Sequence, residues 1–437
     1  MEMGNPNHKT QLREHWSSRL GIILAVAGSA VGLGNFLRFP AKAVANGGGA
    51  FMIPYFVSLL LLGIPLMWVE WTLGRYGGGI GCSTAPSLFH HICKQKWMRY
   101  VGLLGILGPL LIFSYYIYIE SWTLAYSFFS LTGKISGIHD QAAMQNFLKG
   151  FQGLENNEFF SGLGWAYGFF LATFFINMIT IYFGIRAGIE RFCQWAMPIL
   201  FVCALVLFFR VLTLGMFHSL EGEWTVLDGY GFFWNPNFSS LKSARVWLEA
   251  AGQVFFTLSV GIGVIFTYAS YMSRKQDVPL SGLTAVSTNE IAEVILGGSI
   301  VIPAAFMLFG PQEMRSIASS GIFNLGFVTM PLVLNRLPCP ALLGFIWFFL
   351  LFLAAVTSAI SLVQPFFSFL EDEFQWSREK AVLAFGLLMF LFCQPAIFFL
   401  KNGVVDELDF WGGSFCLVVF ATVETILFGW VLGIDRA

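Results

Sequence analysis

Apolar residues in this chain fall into long uninterrupted runs separated by short polar connections. Ten runs are long enough to cross about 30 Å of hydrocarbon as helices, which takes roughly 20 residues each. They lie near residues 20–44, 50–75, 97–131, 161–184, 190–215, 244–271, 279–309, 338–370, 376–399 and 407–431. The runs are apolar throughout rather than at every second position, so the pattern predicts an all-α integral membrane protein and not a barrel. Two runs are interrupted by glycine: Gly28-Ser29-Ala30-Val31-Gly32-Leu33-Gly34-Asn35 in the first and Thr257-Leu258-Ser259-Val260-Gly261-Ile262-Gly263 in the sixth. Glycine inside a helix costs about 1 kcal/mol relative to alanine. One reading is close helix packing, since Gly28 and Gly32 form a small-xxx-small pattern. The other is that both helices unwind.

Position favours unwinding. The first and sixth runs open two five-span halves, residues 1–215 and 216–437, of one transmembrane domain covering 1–437. A repeat of odd span number starts its second copy from the opposite side, so the halves are expected to be inverted. Broken helices at matching places in such halves point to a midplane binding site, with freed carbonyls for cations and helix N-termini for anions. A second polar cluster, Thr357 and Ser358 in span eight with Asn289, Glu290 and Glu293 in span seven, lies amid apolar sequence. Single hydroxyls there commonly bond to their own helix, whereas carboxylates at bilayer depth usually mark a pathway or a site.

Composition sharpens the class. Of 437 residues, 57% are hydrophobic and 11% charged, against about 25% charged in soluble proteins. A net charge of −1 gives no basis for nucleic-acid binding. The seven cysteines are scattered, without a Cys-x-x-Cys pair, and suggest neither disulfides nor zinc. The six histidines form no His-x-x-x-His, and no Gly-x-Ser-x-Gly elbow occurs, so an enzyme is not expected. A channel would show a filter-like repeat or a ring of like charges. Lys9, Arg13 and Arg19 precede a first run too long for a signal peptide. With the N-terminus inside, 14 of the 24 Lys and Arg fall on the inner side, which predicts an inner cell membrane protein with both termini cytoplasmic. The segments 132–160 and 216–243 then lie outside, with an acceptor pattern for glycosylation at Asn237-Phe238-Ser239.

From Arg13 to Pro40 the chain reads REHWSSRLGIILAVAGSAVGLGNFLRFP, which resembles the first helix of the neurotransmitter:sodium symporter family. NGGGAFMIPY (46–55), YYIYIESW (115–122), GQVFFTLSVGIG (252–263), NEIAEVILGG (289–298), TSAISLVQP (357–365) and DELDFW (406–411) follow in the family's order. The resemblance covers almost the whole chain and implies a leucine-transporter-type fold of two inverted five-helix repeats with helices 1 and 6 unwound. It also implies sodium-coupled symport of a small hydrophobic α-amino acid by alternating access. Family members carry one or two spans beyond the tenth; the two expected halves are complete without them, and the oligomeric state is left open.

By this resemblance two Na⁺ ions are co-transported. One would sit on the carbonyls of Gly28, Val31 and Ala354 with the hydroxyls of Thr357 and Ser358; the other on the Ala30 carbonyl, Asn35, Thr257, Asn289 and the substrate carboxylate. Neutral oxygens of these kinds suit a hard cation, and the shared carboxylate would couple ion and amino acid. The carboxylate would also meet Leu33, Gly34 and Tyr116, the ammonium would meet Ala30, Phe256, Thr257 and Ser259, and Ser358 would border the same pocket. A neutral Ser29 fits an α-amino acid, since monoamine carriers of the family have aspartate there. Ile112, Phe256, Ile262 and Leu362 would hold an apolar side chain, leucine-like or else methionine or an aromatic one. Arg38 with Asp409 would form the outer gate above Tyr116 and Phe256, and Arg13 with Asp372 the inner gate beside Trp16, Ser270 and Tyr271. Ordinary interfacial charges are the alternative for all four. Glu293, among Tyr55, Gln253, Thr257 and Asn289, would stand in for a bound anion and make transport chloride-independent; its protonation on the return step would give proton antiport. One charge crossing 100 mV gains about 2.3 kcal/mol and a tenfold gradient about 1.4 kcal/mol, so two sodium ions supply roughly 7 kcal/mol, enough for accumulation on the order of 10⁵-fold. A sodium-dependent amino-acid sensor on the same fold, without efficient turnover, is the alternative.

Overall fold

The computed structural model describes residues 16–214, 224–236, 238–273 and 276–433. Among them every regular element is helical. Eight helices are long and apolar enough to cross a bilayer: Gly49–Gly79, Met98–Leu131, Gly164–Tyr182, Ile185–Leu212, Val278–Ser320, Pro340–Phe374, Arg378–Phe398 and Val404–Leu432. These are spans two to five and seven to ten. Span one is a bent pair, Arg19–Ala30 and Gly34–Ala45, turned by 46° at the break. Span six is divided into Ala244–Thr257 and Val264–Ala269, each too short to cross alone.

Span seven runs past its expected end at 309 because two helices meet at Gly310, whose φ of 67° turns the chain where an ordinary residue would be strained. Four helices occupy connections that carry no span-length apolar run: Ala85–Cys93, Gln141–Phe151, Val226–Trp234 and Leu325–Asn335. Two begin with side-chain caps that the sequence supplies locally. Asp140 accepts from the Ala143 N–H at 2.9 Å, and Thr225 and Asp228 form a reciprocal capping box.

The layering follows from which faces are apolar all round. In the most apolar stretch of span eight 89% of residues are buried, against 33% in spans four, five and nine. Span eight therefore lies in the middle, packed against spans three, five and one, while four, five and nine present Phe175, Trp195, Phe209, Leu387 and Leu391 on the outer surface of the bundle. The two broken spans are held together near one end by an ion pair between Lys42 and Glu249 and at their breaks by Asn35 and Thr257.

Candidate functional site

The break in span one is capped partly by its own residues and partly by span three. Helical pairing stops at Val31, whose backbone has φ −77° and ψ 89°. The Gly32 N–H, left without a helical acceptor, donates to Asn35 Oδ1 at 2.8 Å, and the Leu33 N–H donates to the Tyr116 hydroxyl of span three at 3.2 Å. The glycine at 32 is required sterically. A Cβ there would lie 2.6 Å from Ser358 Oγ and 3.0 Å from the Tyr116 hydroxyl.

The break in span six is longer and leans on another span. Ser259, Gly261 and Gly263 all have φ between 53° and 77°. The Gly261 N–H donates to the Glu70 carboxylate of span two, and the Phe266 N–H reaches the same carboxylate at 3.4 Å. Glu70 is fully buried. It thus caps the six-residue half-helix Val264–Ala269, in the manner of a carboxylate at a helix N-terminus. The sequence reading missed Glu70, although a lone glutamate inside an apolar span is itself a signal.

Between the breaks lies a cavity lined by Ser29, Ala30, Gly34, Ile112, Tyr116, Phe256, Thr257, Ser259, Ile262, Ser358 and Leu362. All eleven were expected at the amino acid; Gly32, Asn35 and Leu417 complete the lining. Leu33 instead lines the adjoining cavity on the side of Arg38 and Asp409. The polar groups gather at the breaks. Ser259 and Ser358 hydroxyls donate to the Ser29 carbonyl at 3.1 and 3.0 Å. The Ser29 hydroxyl faces Ser361 at 2.7 Å, a partner absent from the sequence expectation. Ile112, Ile262, Leu362 and Leu417 supply the apolar wall.

The proposed cation ligands fall into two clusters of neutral oxygens. On one side Ser358 Oγ lies 3.3 Å from the Gly28 carbonyl and Thr357 Oγ1 lies 3.0 Å from the Ala354 carbonyl. A Cβ added at Gly28 would touch Thr357 at 3.2 Å. On the other side Asn35 Nδ2 donates to Asn289 Oδ1 at 2.8 Å and to Thr257 at 3.3 Å, with Ala30 on the same cavity. Beside this second cluster the Glu293 carboxylate accepts from Thr257, from Gln253 at 2.7 Å, from Tyr55 at 3.1 Å and from Asn289 at 3.3 Å. Tyr55 also bonds Glu290 at 3.0 Å.

Above the cavity Arg38 stacks 4.1 Å over the Phe256 ring and reaches Asp409 at 3.8 Å. Tyr115, not anticipated from sequence, donates to Asp409 at 2.6 Å. At the opposite end Trp16 Nε1 donates to the Tyr268 carbonyl at 3.0 Å and its ring meets that of Tyr268 edge-on at 5.2 Å. The Tyr271 hydroxyl pairs with Ser368 at 2.8 Å, and Asp372 accepts from Ser83. Arg13 and Asn237 lie outside the described residues.

The sequence model of the sodium:neurotransmitter symporter family matches residues 13–140 and 139–437. An uncharacterized sodium-dependent transporter of Methanocaldococcus jannaschii is 33% identical over 430 residues, which are 97% of this chain and 83% of the relative. The uncharacterized sodium-dependent transporter YhdH of Bacillus subtilis is 31% identical over 414 residues, 94% of this chain and 84% of YhdH. Among solved structures, the crystal structure of MhsT in complex with L-phenylalanine is similar, with a TM-score of 0.81 at 30% identity over 96% of this chain and 90% of that one.

Proposed function

The chain belongs to the sodium:neurotransmitter symporter family and is a sodium-dependent transporter rather than an enzyme, and from that premise we propose that it imports a small hydrophobic α-amino acid with two Na⁺ ions, independently of chloride. The observation that carries the substrate class is the cavity between the two breaks. Its polar end holds only uncharged groups, Ser29 included, and its other wall is apolar, made of Ile112, Ile262, Leu362, Leu417 and the Phe256 ring. A zwitterion with an apolar side chain matches both ends, whereas an amine lacking a carboxylate would leave its charge unbalanced. MhsT, a similar protein solved with L-phenylalanine, supports the same class.

The ions would occupy the two oxygen clusters: Gly28, Val31, Ala354, Thr357 and Ser358 for one, Ala30, Asn35, Thr257 and Asn289 for the other. The substrate carboxylate, held by Gly34 and Tyr116, completes the second, so each ligand raises the affinity for its companion. Glu293, already receiving four side-chain donors, supplies the fixed negative charge that an anion would otherwise bring. The halves 1–215 and 216–437 act as inverted repeats, each opening on a broken span, and both termini face the cytoplasm of an inner membrane. Arg38 and Asp409 close the outer path; Trp16, Tyr271 and Asp372 close the inner one.

The test is flux into proteoliposomes. An inward sodium gradient should drive accumulation of labelled leucine or phenylalanine, and replacing chloride by gluconate should leave the rate unchanged. Saturable binding without accumulation would instead make the protein a sensor. Glu293→Ser should render uptake chloride-dependent; failure to do so removes the role given to that carboxylate.

A further inference from the structure

Span ten enters the binding cavity at a position that no recognised motif marks. Leu417 lines the cavity and is 2% exposed. The turn immediately before it, Trp411–Cys416, is π-helical. A π turn accommodates one additional residue, and each residue of a helix advances about 100° around the axis. The face that span ten shows to the cavity therefore changes between the DELDFW motif and Leu417.

Close backbone contacts fix this register on both sides. A Cβ at Gly261 would lie 2.6 Å from the Leu417 carbonyl and 3.0 Å from Ala421, so span ten presses on the break of span six. A Cβ at Gly412 would lie 3.1 Å from Ile112, on the opposite wall. With the backbone of span ten wedged between span three and span six, the size of the side chain at 417 is not relieved by movement of its helix. The same span carries Asp409 two turns earlier, where it meets Tyr115 and Arg38.

Resting on the amino-acid reading above, we propose that Leu417 is a specificity-determining residue: with Ile262 it limits the length of the apolar side chain that the cavity accepts.

The experiment is sodium-driven uptake of alanine, valine, leucine, phenylalanine and tryptophan by wild type, Leu417→Ala and Leu417→Phe in proteoliposomes. Discrimination by apolar walls of this kind is worth about 10–200-fold. Leu417→Ala should raise the phenylalanine-to-alanine ratio of kcat/KM by at least about tenfold, and Leu417→Phe should lower the leucine-to-alanine ratio by a similar factor. Should Leu417→Phe fail to fold, the Leu417→Ala ratio decides. Ratios unchanged in a protein that still transports would overturn the proposal while leaving the amino-acid reading intact. Wild type showing no sodium-driven uptake of any of the five would overturn that reading, and this inference with it.

Discussion

The two breaks do the same thing by different means. In span one, three residues between Ala30 and Gly34 leave the helix; the exposed Gly32 N–H is satisfied by Asn35 three residues on, and the Leu33 N–H by the Tyr116 hydroxyl of span three. In span six, six residues between Thr257 and Val264 leave it, and the exposed N–H groups at 261 and 266 depend on Glu70 of span two. A buried donor without a partner costs about 1–3 kcal/mol, so each break must have its own solution. The short break is capped in part by its own residue and by a neutral hydroxyl of span three. The longer one rests on a buried carboxylate brought from span two.

The largest effect should follow from removing that distant acceptor. Glu70→Ala leaves two backbone donors buried and unpaired, a loss of about 3 kcal/mol or more. Uptake should vanish, and thermal unfolding in detergent should move well below wild type; unaltered melting would show that span six holds its break without help. Gly32→Ala comes next. Its methyl would collide with Ser358 and the Tyr116 hydroxyl, and forced overpacking costs about 1–3 kcal/mol. Amino-acid affinity should fall at least about tenfold while the melting point changes little.

Asn35→Ala removes the local cap and one oxygen of the cation cluster together. Loss of such a cap costs about 1 kcal/mol, so the sodium concentration for half-maximal binding should rise several-fold. Asn35→Asp, which keeps the acceptor, should restore the Gly32 contact, and equal loss in both variants would argue against capping. Tyr115→Phe should give the smallest change. It deletes one hydrogen bond to Asp409, worth about 1.5–3 kcal/mol when the acceptor is charged but partly replaced by water at this half-buried site. Ligand dissociation should quicken by roughly two- to tenfold, and an unchanged rate would exclude Tyr115 from the outer closure.

This contrast also explains what the sequence could reveal. Span lengths and the places of both breaks are written in local features: apolar runs of sufficient length and glycines at mid-run. Asn35, Tyr116 and Ser358 were legible because they sit inside continuous motifs. Glu70 and Leu417 lie outside those motifs, and Ser361 and Tyr115, though inside them, acquire their partners only when distant spans pack. Glu70 lies 191 residues from Gly261, and Leu417 faces the cavity beyond a π-helical turn that no residue pattern announces. The short helices in the connections escaped for another reason: they bury one face on the bundle and have neither the length nor the uniform apolarity of a span. The boundary of span seven was nevertheless close, since Gly310 ends the apolar run and turns the chain at the same residue.

The most direct measurement is equilibrium binding of labelled leucine and phenylalanine to purified protein in sodium and in potassium at equal ionic strength, with Thr357→Ala and Asn289→Ala beside wild type. If oxygens released at the breaks hold sodium against the amino acid, binding should saturate in sodium, disappear in potassium and need more sodium in either variant. Equal binding in the two salts would contradict that coupling outright.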